Sequence, residues 1–160
     1  METRQPLDNI NKTDETYMEL ALAEAKKAAE KGEVPVGAVV VCDGRIVAQA
    51  HNLREANADP AAHAEFIAIE KAAQELGRWR LSDCTVYVTL EPCAMCAGLM
   101  INSRIGRCVF GTSDPKAGAV GTIFSLHDDA RLNHRFEVRS GVLADKSAEL
   151  LRTFFQKRRS

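Results

Sequence analysis

Cys93 and Cys96 stand three residues apart behind a proline, in Thr89-Leu90-Glu91-Pro92-Cys93-Ala94-Met95-Cys96-Ala97-Gly98. Upstream, His63 and Glu65 stand two apart in Ala62-His63-Ala64-Glu65. Proline suits the first position of a helix, so a helix opening at Pro92 puts both sulfurs on one face of its first turn. The positive end of that helix lowers thiol pKa and favours the thiolate, the form that binds metal. His63 offers a neutral imidazole as third donor. One imidazole and two thiolates suit tetrahedral zinc and leave its fourth position open, which is what separates a catalytic zinc site from a structural one. Glu65 then supplies a carboxylate beside the water in that position. These are the parts of a hydrolytic zinc enzyme.

Other readings of the cysteine pair are weaker. A structural zinc knuckle closes with four protein donors, and the remaining histidines, His51, His127 and His134, are isolated. A thioredoxin-like redox pair is disfavoured by the proline-first turn and the upstream His-x-Glu. The spacing also sets a geometric demand. Residues two apart on a regular helix do not face each other, so His63 and Glu65 converge only if the site lies at the mouth of their helix.

A chain of 160 residues can bury a respectable core. Its formal charge of −1 gives no global pull toward nucleic acid, so an RNA substrate requires a local basic patch. Five cysteines is an odd number, and a metal site in a reducing compartment fits them better than a disulfide framework. Cys42, Cys84 and Cys108 lie in or beside apolar runs and read as small buried hydrophobes. The first twelve residues are polar and carry no secretory core segment. No run approaches the roughly 18 apolar residues of a membrane span, and a cytoplasmic protein is expected.

The elements that must position these residues follow from periodicity. A polar tail, 1–12, is expected to be mobile, with a single domain over 13–160. A helix from Asp14 carries Met18, Ala21, Leu22, Ala25, Ala28 and Ala29 as one stripe and ends at Gly32. Val36 to Val41 and Ile46 to His51 flank Asp43-Gly44, a favoured hairpin pair. A loop over 52–59 leads to Pro60, where a second helix is expected to start and run to Leu76. Strand Thr85 to Thr89 feeds the cysteine helix. Strand Arg107 to Gly111, a loop over 112–121, a short helical segment near Phe124 and strand Phe136 to Ser140 follow. The last helix spans Ala144 to Arg159. The order predicts an α/β fold of three layers, a mixed five-stranded sheet between helices.

His-x-Glu followed by Pro-Cys-x-x-Cys is the pattern of the zinc-dependent base deaminases. The likeness goes further. Glu33-Val34-Pro35-Val36-Gly37-Ala38-Val39, Ala50-His51-Asn52-Leu53-Arg54-Glu55, Ser103-Arg104-Ile105-Gly106-Arg107, Asn133-His134-Arg135 and Leu150-Leu151-Arg152-Thr153-Phe154-Phe155 resemble the bacterial tRNA adenosine deaminase family, from about Met18 to Arg159. Where that family often has threonine, Ala61 stands here, and the missing hydroxyl weakens a helix-start hydrogen bond by about 1 kcal/mol unless Asp59 caps instead.

The resemblance implies the cytidine-deaminase-like fold, one zinc per chain, a homodimer, and hydrolysis of adenosine to inosine at the wobble position of a tRNA anticodon loop. It also implies that Asn52 reaches the base or its ribose and that the loop with Asp114, Pro115 and Lys116 meets the substrate strand. Val36, Leu90 and Phe155 are candidate apolar walls. For the RNA backbone, no acid follows Glu149, while Arg152, Lys157, Arg158 and Arg159 cluster over the last two turns. Arg54, Arg78, Arg80, Arg104 and Arg107 are candidates to extend that patch. Two alternatives stay open: a guanine or cytosine deaminase acting on free bases or nucleotides, and a non-catalytic RNA-binding protein with structural zinc.

Overall fold

The computed structural model describes residues 7–159. Its elements are α1 (Leu7–Glu30), β1 (Gly37–Cys42), β2 (Arg45–His51), α2 (Ala64–Leu76), β3 (Cys84–Leu90), α3 (Ala94–Asn102), β4 (Arg107–Thr112), a 3-10 turn (Leu126–Asp128), β5 (Glu137–Arg139) and α4 (Ala144–Arg159). The strands form one sheet in the order β2-β1-β3-β4-β5. β1 runs antiparallel to β2 and β3, whereas β3, β4 and β5 are parallel, so the sheet is mixed as expected.

Strand β1 is buried along its whole length, which its unbroken apolar sequence requires of a strand covered on both faces. Period-two alternation divides it. Val39 and Val41 join Tyr87 and Val109 beneath Met18, Ala21 and Leu22 of α1. Ala38, Val40 and Cys42 face the other way, with Val86, Val88 and Phe110, against Ala64, Ala68 and Ile69 of α2 and Ala97 and Met100 of α3. α1 and α4 therefore cover one face and α2 and α3 the other. The hairpin turn has positive φ at both Asp43 (49°) and Gly44 (73°), the requirement of a type I′ turn. Gly37 is the point of closest approach: a Cβ there would lie 1.9 Å from the Ala21 carbonyl oxygen on α1.

Several boundaries differ from expectation. α1 already includes 7–12, because a helix needs no apolar stripe where it is solvated; the hydroxyls of Thr13 and Thr16 bond back to the Asn9 and Lys12 carbonyls. The first six residues of the expected tail lie outside the described residues. α2 begins at Ala64 rather than Pro60, since the Asp59 carboxylate accepts the Ala61 N–H at 2.9 Å and holds 59–61 in a turn. The short helical segment is the 3-10 turn at Leu126, slightly after Phe124. Among the described residues no helix is long and apolar enough to cross a membrane.

Asp14 fastens α1 to the sheet. Its buried carboxylate accepts hydrogen bonds from Tyr87 of β3 (2.8 Å), from both Arg107 nitrogens of β4 (2.9 and 2.7 Å) and from Arg139 of β5 (2.6 Å). Burial pushes its pKa up, and the donors from Arg107, Tyr87 and Arg139 together outweigh that, leaving it below the ordinary 3.8. A depressed carboxyl stabilises the fold fully above its ordinary value and ceases to do so as pH falls through the folded value. Asp14→Asn is expected to cost about 3 kcal/mol, the low end for a broken buried pair because both arginines keep some contact with water. Urea midpoints measured from about pH 5 down to pH 2 should fall more steeply in the parent than in the variant.

Candidate metal centre

Strand β3 ends at Leu90, and Glu91-Pro92 carry the chain to Cys93, the N-cap of α3. Cys93 is extended (φ −77°, ψ 176°), and its carbonyl accepts the Ala97 N–H at 2.9 Å, so Cys96 falls in the first turn behind it. His63 is likewise an extended N-cap (φ −75°, ψ 149°), with the Ile67 N–H on its carbonyl at 3.0 Å. An N-cap side chain is not bound to the helical 3.6 period. His63 thus reaches across the helix mouth while Glu65, in the first turn, faces the same space. Expecting the cysteine helix to open at Pro92 placed it two residues early, and the sulfurs converge all the same.

The imidazole Nδ1 of His63 lies 3.7 Å from Cys93 Sγ and 3.5 Å from Cys96 Sγ. Ordinary Zn–S and Zn–N bonds in a tetrahedron give a sulfur–nitrogen edge of about 3.6 Å, so the three donors fit zinc where they stand. One donor atom from each lies within 4.8 Å of the others. The Cys93 thiol is drawn down to about 3, chiefly by the hydrogen bond from Cys96 and then by His63, against the opposing effect of burial. Cys96 is pushed up by its bond to Cys93 and by burial. The hydrogen bond to Cys93 raises His63. One proton shared by a half-buried and a buried sulfur beside an imidazole is an arrangement a divalent cation can replace. Glu65 is buried beside them, and burial pushes its carboxyl up to about 7.

Cys96 is fully buried, while His63, Glu65 and Cys93 beside it line a cavity of ≈ 220 Å³. Of the substrate residues expected from sequence, Asn52, Val36, Leu90 and Asp114 line it, joined by Val34, Arg54 and Ala117. Asn52 is also a brace for the rim: its Oδ1 accepts the Arg54 N–H at 3.0 Å, and its Nδ2 donates to the Val34 carbonyl at 3.4 Å. Lys116 is exposed on the same loop as Asp114 and is not among the lining residues. Phe155 is 43% exposed on α4 and is not part of the cavity wall. Arg152, Lys157, Arg158 and Arg159 are all exposed on α4. Arg158 donates to the Gly32 carbonyl at 2.6 Å and stacks on Phe154, which brings the basic end of α4 next to the Glu33-Val34 segment of the rim. Among the arginines considered for a wider patch, Arg107 is committed to Asp14, Arg78 to Asp83 and Arg104 to the Ile101 carbonyl. Arg54 is the one at the cavity.

Two buried acids whose role the sequence alone does not reveal hold the cavity walls. Glu33 accepts the Glu55 N–H at 2.8 Å and pins the 52–59 loop. Glu91, 2% exposed, accepts the N–H groups of Asp114 (3.0 Å), Val120 (3.2 Å) and Thr122 (3.2 Å) and the Thr122 hydroxyl. Gly118 packs on that carboxylate so closely that a Cβ would lie 2.4 Å from its carboxyl carbon. The available signal was an acid closing an apolar strand, where burial demands several donors. In Glu91→Gln one acceptor oxygen becomes an NH2 group facing N–H donors. The amides of Asp114, Val120 and Thr122 should then exchange with deuterium about 10- to 100-fold faster, while those of β3 keep their protection.

Comparison with known proteins agrees with this geometry. A family model described as MafB19-like deaminase matches residues 12–159. The tRNA-specific adenosine deaminase of Bacillus subtilis is 53% identical, covering 91% of each chain, and that of Haemophilus influenzae is 52% identical, covering 91% of this chain and 85% of the relative. A structure solved in a study of A-to-I editing by tRNA:A34 deaminases at the wobble position of transfer RNA superposes with TM-score 0.82 at 44% identity, covering 85% of this chain and 99% of that one. The guanine deaminase of Nitrosomonas europaea shares the fold, with TM-score 0.73 at 22% identity over 96% and 95% of the two chains. A donor set of one histidine and two cysteines on paired helix mouths, and this depth of likeness along the chain, lead to one conclusion: it belongs to the MafB19-like deaminases and, among them, to the tRNA-specific adenosine deaminases.

Proposed function

We propose that this chain hydrolyses adenosine to inosine at the wobble position of a tRNA anticodon loop, using one zinc ion per chain held by His63, Cys93 and Cys96. The observation that carries the reading is the convergence of those three donors, with Glu65 buried beside them, at a cavity lined by His63, Glu65 and Cys93. Zinc supplies the Lewis acidity that makes water a nucleophile at neutral pH. The remaining chemistry falls to the chain. Glu65, with its carboxyl pushed up to about 7, is poised to take a proton from the attacking water and deliver it to the base ring. It then takes the second proton from the newly added hydroxyl and delivers it to the amine, which departs as ammonia as the carbonyl forms. Val36 and Leu90 offer apolar contact to a base, while Asn52 and Asp114 stand at the rim.

An anticodon loop suits such a pocket because its wobble base is unpaired, so drawing it out costs less than flipping from a duplex. Exposed Arg152, Lys157, Arg158 and Arg159, with Arg54 at the cavity, supply the local positive charge that a net charge of −1 does not. The same reading makes the protein a cytoplasmic enzyme with a single deaminase domain. It also makes it a homodimer, for which exposed Met95, Ile123 and Phe124 offer apolar surface.

The test is incubation of the zinc-loaded enzyme with an anticodon stem-loop, read by sequencing for inosine, beside ammonia release from free guanine, cytosine and adenosine. Inosine confined to the wobble position is expected; ammonia from free guanine or cytosine without editing would replace this reading with the base-deaminase one. Glu65→Ala should keep its zinc while turnover falls about a hundred- to ten-thousand-fold. Equal turnover at equal zinc content would remove Glu65 from the mechanism. Replacing Arg152 and Arg159 together by alanine should weaken stem-loop binding at every loop sequence. It should also flatten the dependence of binding on log salt by about 1 for each phosphate that is no longer neutralised.

A further inference from the structure

Cys42 closes β1 and Cys84 opens β3, and the two are direct partners in the antiparallel register. Side chains at paired positions leave the sheet on the same face, so both sulfurs share one pocket of space. Asp83 precedes Cys84 and turns its carboxylate onto the pair, with Oδ2 3.2 Å from Cys42 Sγ and Oδ1 3.7 Å from Cys84 Sγ. One donor atom from each residue lies within 4.8 Å of the other two. The thiols are 4% and 1% exposed, while the Asp83 side chain is 42% exposed and opens the cluster to solvent. Cys84 starts the strand whose other end leads to Cys93. Seven residues of strand put the cluster about 20 Å from the deaminase centre, with no part in its chemistry.

We infer that Cys42, Asp83 and Cys84 form a second metal site, for a thiophilic divalent cation such as zinc. Tetrahedral zinc with sulfur and carboxylate ligands has a sulfur–oxygen edge of about 3.5 Å, and the two observed separations straddle it. Two thiolates select zinc over magnesium or calcium. The neighbouring Arg78 completes the charge balance. Its Nη2 lies 2.8 Å from both Asp83 oxygens and 3.7 Å from Cys42 Sγ. Two thiolates and a carboxylate carry three negative charges, which a divalent cation and one guanidinium cancel. Arg78 thereby becomes the outer partner that orients the ligating carboxylate rather than a competitor for it. Without metal, burial and the Asp83 carboxylate keep both thiols protonated, so loading exchanges two S–H protons for the cation.

The experiment uses the full-length enzyme already carrying its first zinc. It is titrated with zinc against a chromophoric chelator of known affinity, and metal per chain is read by native mass spectrometry. The parent should take up a second equivalent and melt at higher temperature as it does so. Cys42→Ser and Cys84→Ala should stop at one, Asp83→Asn should bind the second zinc about 10- to 100-fold more weakly, and all three should keep their deaminase activity. Cys93→Ala should lose the first equivalent and keep the second, which separates this site from the deaminase centre. Saturation of the parent at one zinc, equal uptake by Cys84→Ala, or peptide mapping that finds Cys42 and Cys84 joined as a disulfide would each overturn the inference.

Discussion

Three donors must meet at one point although they come from segments thirty residues apart, and the fold meets that demand by opening two helices side by side on one face of the sheet. α2 and α3 both pack on the face that carries Val40, Val86 and Val88, so their first turns can be neighbours. The N-cap is the decisive position. A side chain there leaves a helix along its axis rather than around it, which lets the His63 imidazole come within 3.7 Å of both the Cys93 and Cys96 sulfurs while Glu65 faces the same space from inside its helix. Positive helix ends aimed at the same place then favour the negative sulfurs they surround. Chemistry, backbone geometry and electrostatics all rest on that shared opening.

The frame around the centre is held by buried polar groups rather than by apolar packing alone. Asp14 binds α1 to three strands through Tyr87, Arg107 and Arg139, and keeps one face of the sheet covered. Glu33 and Glu91 perform the corresponding task for the cavity, each taking backbone N–H groups from a loop that has no strand or helix to satisfy them. A buried carboxylate is costly unless several donors reach it. That cost gives these anchors their specificity, because each accepts one loop conformation and penalises others.

Local signals carried much of this into the sequence. The hairpin at Asp43-Gly44, the helix Ala144–Arg159 and the clustering of His63, Cys93 and Cys96 follow from turn chemistry, periodicity and residue spacing, and the structure has them where they are expected. What escaped was tertiary in origin. The polar first turns of α1 have no apolar stripe to announce them, and Pro60 mimics a helix start that the Asp59 turn pre-empts. Arg107 looks like any surface arginine until Asp14, ninety-three residues away, is seen to hold it. Phe155, an aromatic beside the buried Phe154, points outward on α4 although its neighbour is packed. Glu91 sits inside the motif itself, yet its partners lie in a loop with no periodicity to read.

The attachment of the 112–122 loop through Glu91 has a consequence for how such a pocket diversifies. The anchor grips Asp114, Val120 and Thr122 mainly by main-chain amides, and the side chains between them, Pro115 to Ala117, are left outside that grip. Residue identity at the tip is thereby uncoupled from the stability of its scaffold. A lineage of such proteins can explore new partners at positions 115–117 while His63, Glu65 and Cys93, on the same cavity, stay as they were.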